Sequence, residues 1–272
     1  MKKFKLNELE EIIAPVFIGG VGIINGTSLS DLLRGTIYND AICGYDGNDL
    51  IYAKAGDDLV YGGAGSDVIY GQEGDDRIHG GADNDVAYGG IGNDLIYGET
   101  GNDLLYGQEG NDRIYCGIGS DLAYGGIGND FINGEEGNDL IYGNEGTDEI
   151  HGGLGSDAIY GQEGNDALFG NSGNDALYGG TGSDYLNAGT GDDKMNGGDG
   201  NDLYRYAKGD GFDSIYDSSG SDKLVMSGIN SSEVRITDYG DYTKISMRDG
   251  SGSVKLFGDI EAVQFANTTV NL

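Results

Sequence analysis

The chain has 272 residues, with 54 glycines, one proline, no tryptophan and a formal net charge of −32. That charge argues against nucleic acid as a partner, because phosphate binding needs clustered lysine and arginine. It also makes cations a requirement, since high net charge with modest hydrophobicity otherwise predicts a disordered chain.

Residues 1–34 are expected to form an N-terminal extension or cap, too short for a catalytic domain. "LNELEE" (6–11) predicts one or two amphipathic helical turns. The apolar run from Ile12 to Ile24 then covers the first coil. Pro15, Gly19, Gly20 and Gly22 interrupt this run, which is shorter than the ~18 residues of a membrane span. Glu8, Glu10 and Glu11 precede it and no A-x-A site follows, so it is not an ordinary secretory signal. A rival reading is a double-glycine leader cut after Gly20. The usual Leu, Glu and Leu spacing ahead of the glycine pair is not met.

From Gly35 to Arg205 the chain repeats every nine residues, in nineteen units without insertion. Position six is Asp in every unit. Position four is Gly except at Tyr38 and Asp83, and position one is Gly except at Ala53, Cys116 and Ala188. Position eight is aliphatic in most units, and position five is nearly always Asn, Asp or Ser. Glycine at positions one and four permits positive φ and close backbone approach. Asn or Asp at position five also tolerates the left-handed region. Residues seven to nine are strand-like, with position eight on one face and seven and nine on the other. Each unit is thus expected to be a six-residue turn and a very short strand. One such strand cannot bury its aliphatic residue, whereas stacked copies can, which is the logic of a solenoid.

Units such as "GGIGNDLIY" (89–97) resemble the calcium-binding nonapeptide repeat of RTX, or haemolysin-type, exoproteins. The resemblance covers residues 35–205. It implies an all-β fold, a right-handed parallel β-roll with two nonapeptides per turn. It further implies calcium ions between stacked turns, held by position-six carboxylates and loop carbonyls. The ligands are then Asp49, Asp58, Asp67, Asp76, Asp85, Asp94, Asp103, Asp112, Asp121, Asp130, Asp139, Asp148, Asp157, Asp166, Asp175, Asp184, Asp193 and Asp202.

The residues themselves carry the 18-residue period. Position nine of alternate units reads Tyr52, Tyr70, Tyr88, Tyr106, Tyr124, Tyr142, Tyr160 and Tyr178, while the other set is mixed. Position seven beside these tyrosines is always apolar, so the column is a possible docking face. Cys43 and Cys116 then lie four turns plus one residue apart, roughly 19 Å along the axis at ~4.8 Å per strand. The limit for a disulfide is ~7 Å between Cα atoms, so both are expected as free thiols.

Calcium suits the donors, being a hard cation that takes carboxylate and carbonyl oxygens. His79 and His151 are 72 residues apart and give no support to a zinc or copper array. The repeat block holds 33 acidic and 5 basic residues. About seventeen calcium ions, one per pair of loops 18 residues apart, offset that excess. Sites near Tyr38, Ala53 and Asp83 are the candidates for being empty or distorted. Folding is expected to be coupled to binding, at the ~10⁻⁴ to 10⁻³ M calcium that extracellular modules respond to.

Residues 206–272 change style. "GDGFDSIYDSSGSDKLVM" (209–226) resembles the block that follows the repeats in RTX exoproteins, where Asp210, Asp213, Asp217 and Asp222 are either added ligands or solvated turn residues. "EVRITDY", "YTKISM" and "GSVKLF" alternate as strands and predict a small antiparallel β cap. In the family this C-terminal region carries the signal for type I (ABC) secretion.

No catalytic constellation stands out from the Asp background. The expectation is a secreted, extracellular, non-enzymatic calcium-binding protein without a transmembrane span. Its role is structural or surface-directed, with self-association or a surface glycan as partner. A second reading is an export or accessory module of an RTX toxin or enzyme. A third, a polysaccharide- or ice-binding module, has little support: threonine at position three occurs only at Thr100, Thr181 and Thr190.

Overall fold

A computed structural model describes residues 10–12, 16–18 and 21–272. The chain divides into two compact units, residues 1–131 and 132–272. Both are β-structure. Among the described residues the one helical turn is the 3-10 turn Ser231–Glu233.

In unit 1 each strand pairs in parallel with the strand two nonads away. Val86–Ile91 pairs with Leu104–Glu109, placing Val86 against Leu104 and Tyr88 against Tyr106. Leu95–Thr100 pairs in the same way with Arg77–Ala82. Partners are 18 residues apart, so two nonads make one turn of a parallel β-solenoid. Position eight fills the interior: Ile42, Ile51, Val60, Ile69, Ile78, Ala87, Ile96, Leu105 and Ile114 are at most 1% exposed. Burying one such aliphatic side chain stabilises by ~1.5–3 kcal/mol. A three-residue strand cannot hold itself together on that, but a stack can.

The strands are longer than the sequence predicts. They run through positions seven to nine and on into positions one to three, as in Leu104–Glu109. Position three pairs across turns as well, for example Ile91 with Glu109. Only positions four to six remain as turn.

The glycine columns divide their roles differently from expectation. Position four is left-handed, as at Gly92 (φ 146°), and so is position two, as at Gly90 (φ 126°). Position two also holds Gln72 and Gln108 at φ 87° and 86°, where a side chain costs ~1–2 kcal/mol. Position one does not need positive φ. It is a place of close approach, described below. Asn at position five is not left-handed either. Its side chain works across turns: Asn93 Oδ1 accepts the Asn111 N–H at 3.0 Å.

The repeat extends ahead of Gly35. Gly26–Arg34 has its own position-six Asp31, fully buried, and its own position-eight Leu33. Val21–Asn25 pairs in parallel with Asp40–Asp46 at the same 18-residue step. It is a strand of the coil, placing Ile24 in the interior. The expected helical turn at 6–11 falls partly outside the described residues, and Glu10–Ile12 is a strand pairing with Asp31–Arg34. The candidate leader site at Gly20 lies outside the described residues.

Unit 2 continues the pattern on its own residues. Leu140–Glu145 pairs with Ala158–Glu163, and Glu149–Leu154 with Ala167–Ser172. Its end departs from it. Residues 206–216 form an 11-residue unit, so partners shift to 20 apart: Lys194 with Ser214 and Leu203 with Lys223. The strand Phe212–Ser227 then pairs in parallel with Ser253–Gln264. The small antiparallel cap is present, formed by Val234–Asp238, Thr243–Met247, Ser253–Gln264 and Thr269–Asn271. "GSVKLF" and "IEAVQF" are one strand of that cap, and it also extends the roll's parallel stack.

Candidate metal centre

The turn at positions four to six closes on a hydrogen-bond demand. The position-six N–H points along the stack and needs an acceptor. It finds the position-six carboxylate of the next turn. Asp85 N–H donates to Asp103 Oδ1 at 2.8 Å, and Asp76 N–H to Asp94 Oδ1 at 2.8 Å. In unit 2, Asp166 N–H donates to Asp184 Oδ1 at 2.8 Å. Asp at position six is therefore structural through one oxygen. Position five runs a second ladder in the opposite sense, its side chain accepting from the turn that follows.

The other carboxylate oxygen has no such use. Oδ2 of Asp49, Asp58, Asp67, Asp76, Asp85, Asp94, Asp103 and Asp112 is buried without a hydrogen-bond partner in unit 1. So is Oδ2 of Asp157, Asp166, Asp175, Asp184, Asp193 and Asp202 in unit 2. An unsatisfied buried carboxylate oxygen is costly, more so than a neutral group.

These oxygens converge on position one. A Cβ built on Gly107 lies 2.2 Å from Asp112 Oδ2 and 2.6 Å from the Gly125 carbonyl oxygen. On Gly161 the same atom lies 2.3 Å from Asp166 Oδ2 and 2.7 Å from the Gly179 oxygen. A carboxylate and a carbonyl from successive turns thus face one small space that a side chain fills. Glycine at position one keeps it open. Ala53, Cys116 and Ala188 bring a Cβ to that position and are buried there.

The eighteen position-six aspartates expected as ligands, Asp49 to Asp202 in steps of nine, are all at most 3% exposed. Asp31 and Asp40 share the position but differ in bonding. Asp31 Oδ2 accepts the Thr27 N–H at 2.6 Å and its hydroxyl at 3.0 Å. Asp40 Oδ2 takes the same bonds from Thr36. At the end of unit 2, Asp213 and Asp222 carry the ladder on, accepting from Asp193 and Asp202.

Burial raises the carboxyls strongly, and neighbouring carboxylates raise them further. Asp76 and Asp85 are pushed up to about 8. Asp58, Asp67, Asp103 and Asp112 reach about 7. Asp166 and Asp184 reach about 6, and Asp213 about 8. Hydrogen bonds from backbone N–H groups pull the other way without cancelling the burial. Ionised together, these groups call for positive charge between the turns.

The donors fit calcium. They are oxygens only, carboxylate and carbonyl, which is what a hard divalent cation takes. Position-six Asp would hold it with position-one carbonyls. The imidazoles are elsewhere. His79 stacks between Tyr61 and Tyr97 and meets Glu99, and His151 stacks on Phe169 beside Glu149. The cysteines are free, Cys116 buried and Cys43 half-buried.

The tyrosine column stacks ring on ring. In unit 1, Tyr52, Tyr70, Tyr88, Tyr106 and Tyr124 have centroids 4.8–5.0 Å apart and planes within 5°. In unit 2, Tyr142, Tyr160 and Tyr178 follow at 4.9 and 4.7 Å. Both faces of an interior ring such as Tyr88 are covered by its neighbours. Its edge and hydroxyl remain for contact, and a sugar has no face to stack on. Position seven beside the column, Leu104 for example, is half-buried.

Sequence reasoning missed several contributors. Gly26, Asp31 and Leu33 carried the repeat's own signal ahead of Gly35. Glu261, which accepts the Asp222 N–H at 2.5 Å, carried none, because nothing local marks it.

The RTX calcium-binding nonapeptide repeat family matches residues 25–60, 52–87, 88–123, 117–150, 124–159, 142–177 and 169–204. No characterised protein sequence matches the chain significantly. Among solved structures, the chain is similar to a hyperactive, Ca2+-dependent, β-helical antifreeze protein from an Antarctic bacterium. Identity is 17%, coverage 99% of this chain and 96% of that one, and the TM-score 0.45. It also matches the extracellular lipase LipA from Serratia marcescens. Identity there is 16%, coverage 90% of this chain and 38% of that one, and the TM-score 0.24. No helix among the described residues is long and apolar enough to cross a membrane. With family matches across residues 25–204 and position-six aspartates facing open position-one cradles, the chain belongs to the RTX calcium-binding nonapeptide-repeat family.

Proposed function

We propose that this is a secreted, extracellular, non-enzymatic protein whose roll forms on meeting calcium and serves a structural or surface-directed role. The observation that carries the reading is the rank of buried, unpartnered Oδ2 atoms opposite glycine carbonyls. Without cations those carboxylates repel, and a chain with 54 glycines loses a large backbone entropy on ordering. Folding is then linked to binding. Extracellular modules bind calcium at ~10⁻⁴ to 10⁻³ M, far above cytosolic levels. The chain stays extended inside the cell, which suits export through a type I (ABC) system, and orders outside it. The carboxylates are accounted for as metal ligands, which leaves none to assign to catalysis.

The experiment is circular dichroism of the purified chain in EDTA and at millimolar calcium, with lipase, protease and haemolysis assays on the folded form. Coil in EDTA, β-structure in calcium and no turnover are expected. A β signal that persists in EDTA removes the coupling, and turnover removes the non-enzymatic assignment.

A further inference from the structure

The last cradle of unit 2 is built differently from the others. Elsewhere the space over a position-one glycine is faced by a position-six Oδ2 and by the position-one carbonyl oxygen of the next turn, as at Gly161 and Gly179. At Gly197 the Cβ position is 2.0 Å from Asp202 Oδ2, and its second neighbouring group is the Tyr204 hydroxyl at 2.5 Å. The next position-one residue is not glycine but Asp217, directly after Tyr216 at position nine. Its carboxylate turns inward and is 4% exposed.

Three carboxylates meet as a result. Asp202, Asp217 and Asp222 each bring one oxygen into a group in which all lie within 4.8 Å of one another. Asp202 and Asp222 are 2% and 1% exposed, and Oδ2 of each is buried with no hydrogen-bond partner. A buried acidic cluster with two unpartnered oxygens demands a cation, because ionised carboxylates this close repel and cannot be solvated.

The surroundings hold the cluster in place. Tyr204, at the core position eight, accepts the Gly197 N–H at 2.6 Å through its hydroxyl and donates that hydroxyl to Asp217 Oδ2. Asp222 places Oδ1 on the Asp202 N–H at 2.8 Å, which leaves Oδ2 for the cluster. Its own N–H goes to Glu261 Oε2 of the cap strand Ser253–Gln264. Glu261 thus stands where the next position-six Asp otherwise would.

We propose that Asp202, Asp217 and Asp222 form a distinct calcium site, tighter than the periodic ones. It rests on the calcium-dependent reading above. A periodic cradle offers two carboxylates per ion and fills its remaining positions with neutral oxygens. This one offers three, on side chains fixed by the core tyrosine and the cap. Calcium affinity rises with ligand charge and site rigidity, and a gain of roughly tenfold or more is expected. The same charge excess favours a trivalent lanthanide over calcium here more than at the periodic sites.

The test is calcium release from the full chain. The calcium-loaded protein is mixed with excess fast chelator and the released ion is followed optically. One ion equivalent should leave at least roughly tenfold more slowly than the bulk. Asp217→Gly restores the periodic residue and should abolish that phase while the bulk phase stays. Should this variant fail to fold, Asp217→Asn, which keeps an acceptor for Tyr204, is read in the same way. A wild-type chain with no slow single-ion phase overturns the proposal, as does a slow phase that survives the loss of the Asp217 carboxylate. A chain that keeps its β signal in EDTA yet shows the slow, Asp217-dependent ion removes the folding reading and leaves this site standing.

Discussion

Gly107→Ala separates the cation cradle from the backbone that carries it. Gly107 lies in Leu104–Glu109 and its φ is not positive, so alanine meets no conformational penalty there. The new methyl would sit 2.2 Å from Asp112 Oδ2 and 2.6 Å from the Gly125 oxygen. Only the two oxygens that face the cradle are displaced. Ala53, Cys116 and Ala188 show that the solenoid accepts a Cβ at this position. The cost is therefore the loss of one bound ion. An ion bound to the folded state alone stabilises by RT ln(1 + [Ca]/Kd), about 1.4–2.7 kcal/mol at 10 mM calcium for a Kd of ~10⁻³ to 10⁻⁴ M. The assay is urea unfolding at a series of calcium concentrations. Stability should fall by that amount at 10 mM, and its slope against calcium should decrease by about 1.4 kcal/mol per tenfold change, one ion's share. Gly92→Ala is the contrast. At φ 146°, with a Cβ 2.1 Å from the Gly74 oxygen, it strains the backbone and should shift stability in parallel at all calcium levels. A parallel shift for Gly107→Ala as well, with the slope unchanged, would falsify the assignment of position one to the cradle.

Three other outcomes are expected. Carboxyls raised in the folded chain to about 6–8, against ~4 when unfolded, give the ion-free fold a stability present below pH ~4 and lost as pH rises to ~8. Circular dichroism in EDTA should thus show more β-structure at acid than at neutral pH, while the calcium midpoint should rise as pH falls, since protons compete for the same oxygens. Asn93→Ala leaves the Asn111 N–H without its acceptor and should cost ~1 kcal/mol in urea unfolding, with Asn93→Asp largely neutral. Ile96→Ala, at 0% exposure, should cost ~2–5 kcal/mol, whereas Ile91→Ala, at 55%, should stay within ~0.5 kcal/mol; equal effects would undo the assignment of position eight to the core.

Much of the roll was legible because it is periodic. An aliphatic residue every nine positions, repeated as two alternating columns, leaves stacked strands as the arrangement that buries them. Position six was legible for the same reason. What escaped were the bonds between turns. Asn at position five looks like a left-handed turn residue in one nonad, and its partner is 18 residues away. The positive φ at Gln72 and Gln108 escaped because glutamine is a poor residue for that conformation and is tolerated by the stacked backbone around it. The tyrosine column was visible as a column, but whether its rings lie flat on one another or point to solvent depends on side-chain rotation that a residue pattern does not encode.

The position-six ladder has a direction, and that explains why the repeat does not simply begin and stop. Each carboxylate accepts from the turn before it, and each N–H donates to the turn after it. The opening coils of unit 1 therefore have carboxylates with no preceding N–H to accept. There Thr27 and Thr36 stand at position two, each giving an N–H and a hydroxyl to Asp31 and Asp40. The final coil of unit 2 has the opposite lack, an N–H with no following carboxylate. Glu261 supplies it from a cap strand that is 39 residues further on. Threonine at one end and a distant glutamate at the other are thus answers to the two unlike ends of one hydrogen-bond chain. The 11-residue unit at 206–216 belongs to the same solution. Its two extra residues move the pairing step from 18 to 20 just before the cap, while Asp213 and Asp222 still reach the N–H groups of Asp193 and Asp202. The insertion is absorbed in the loop, and the ladder is kept.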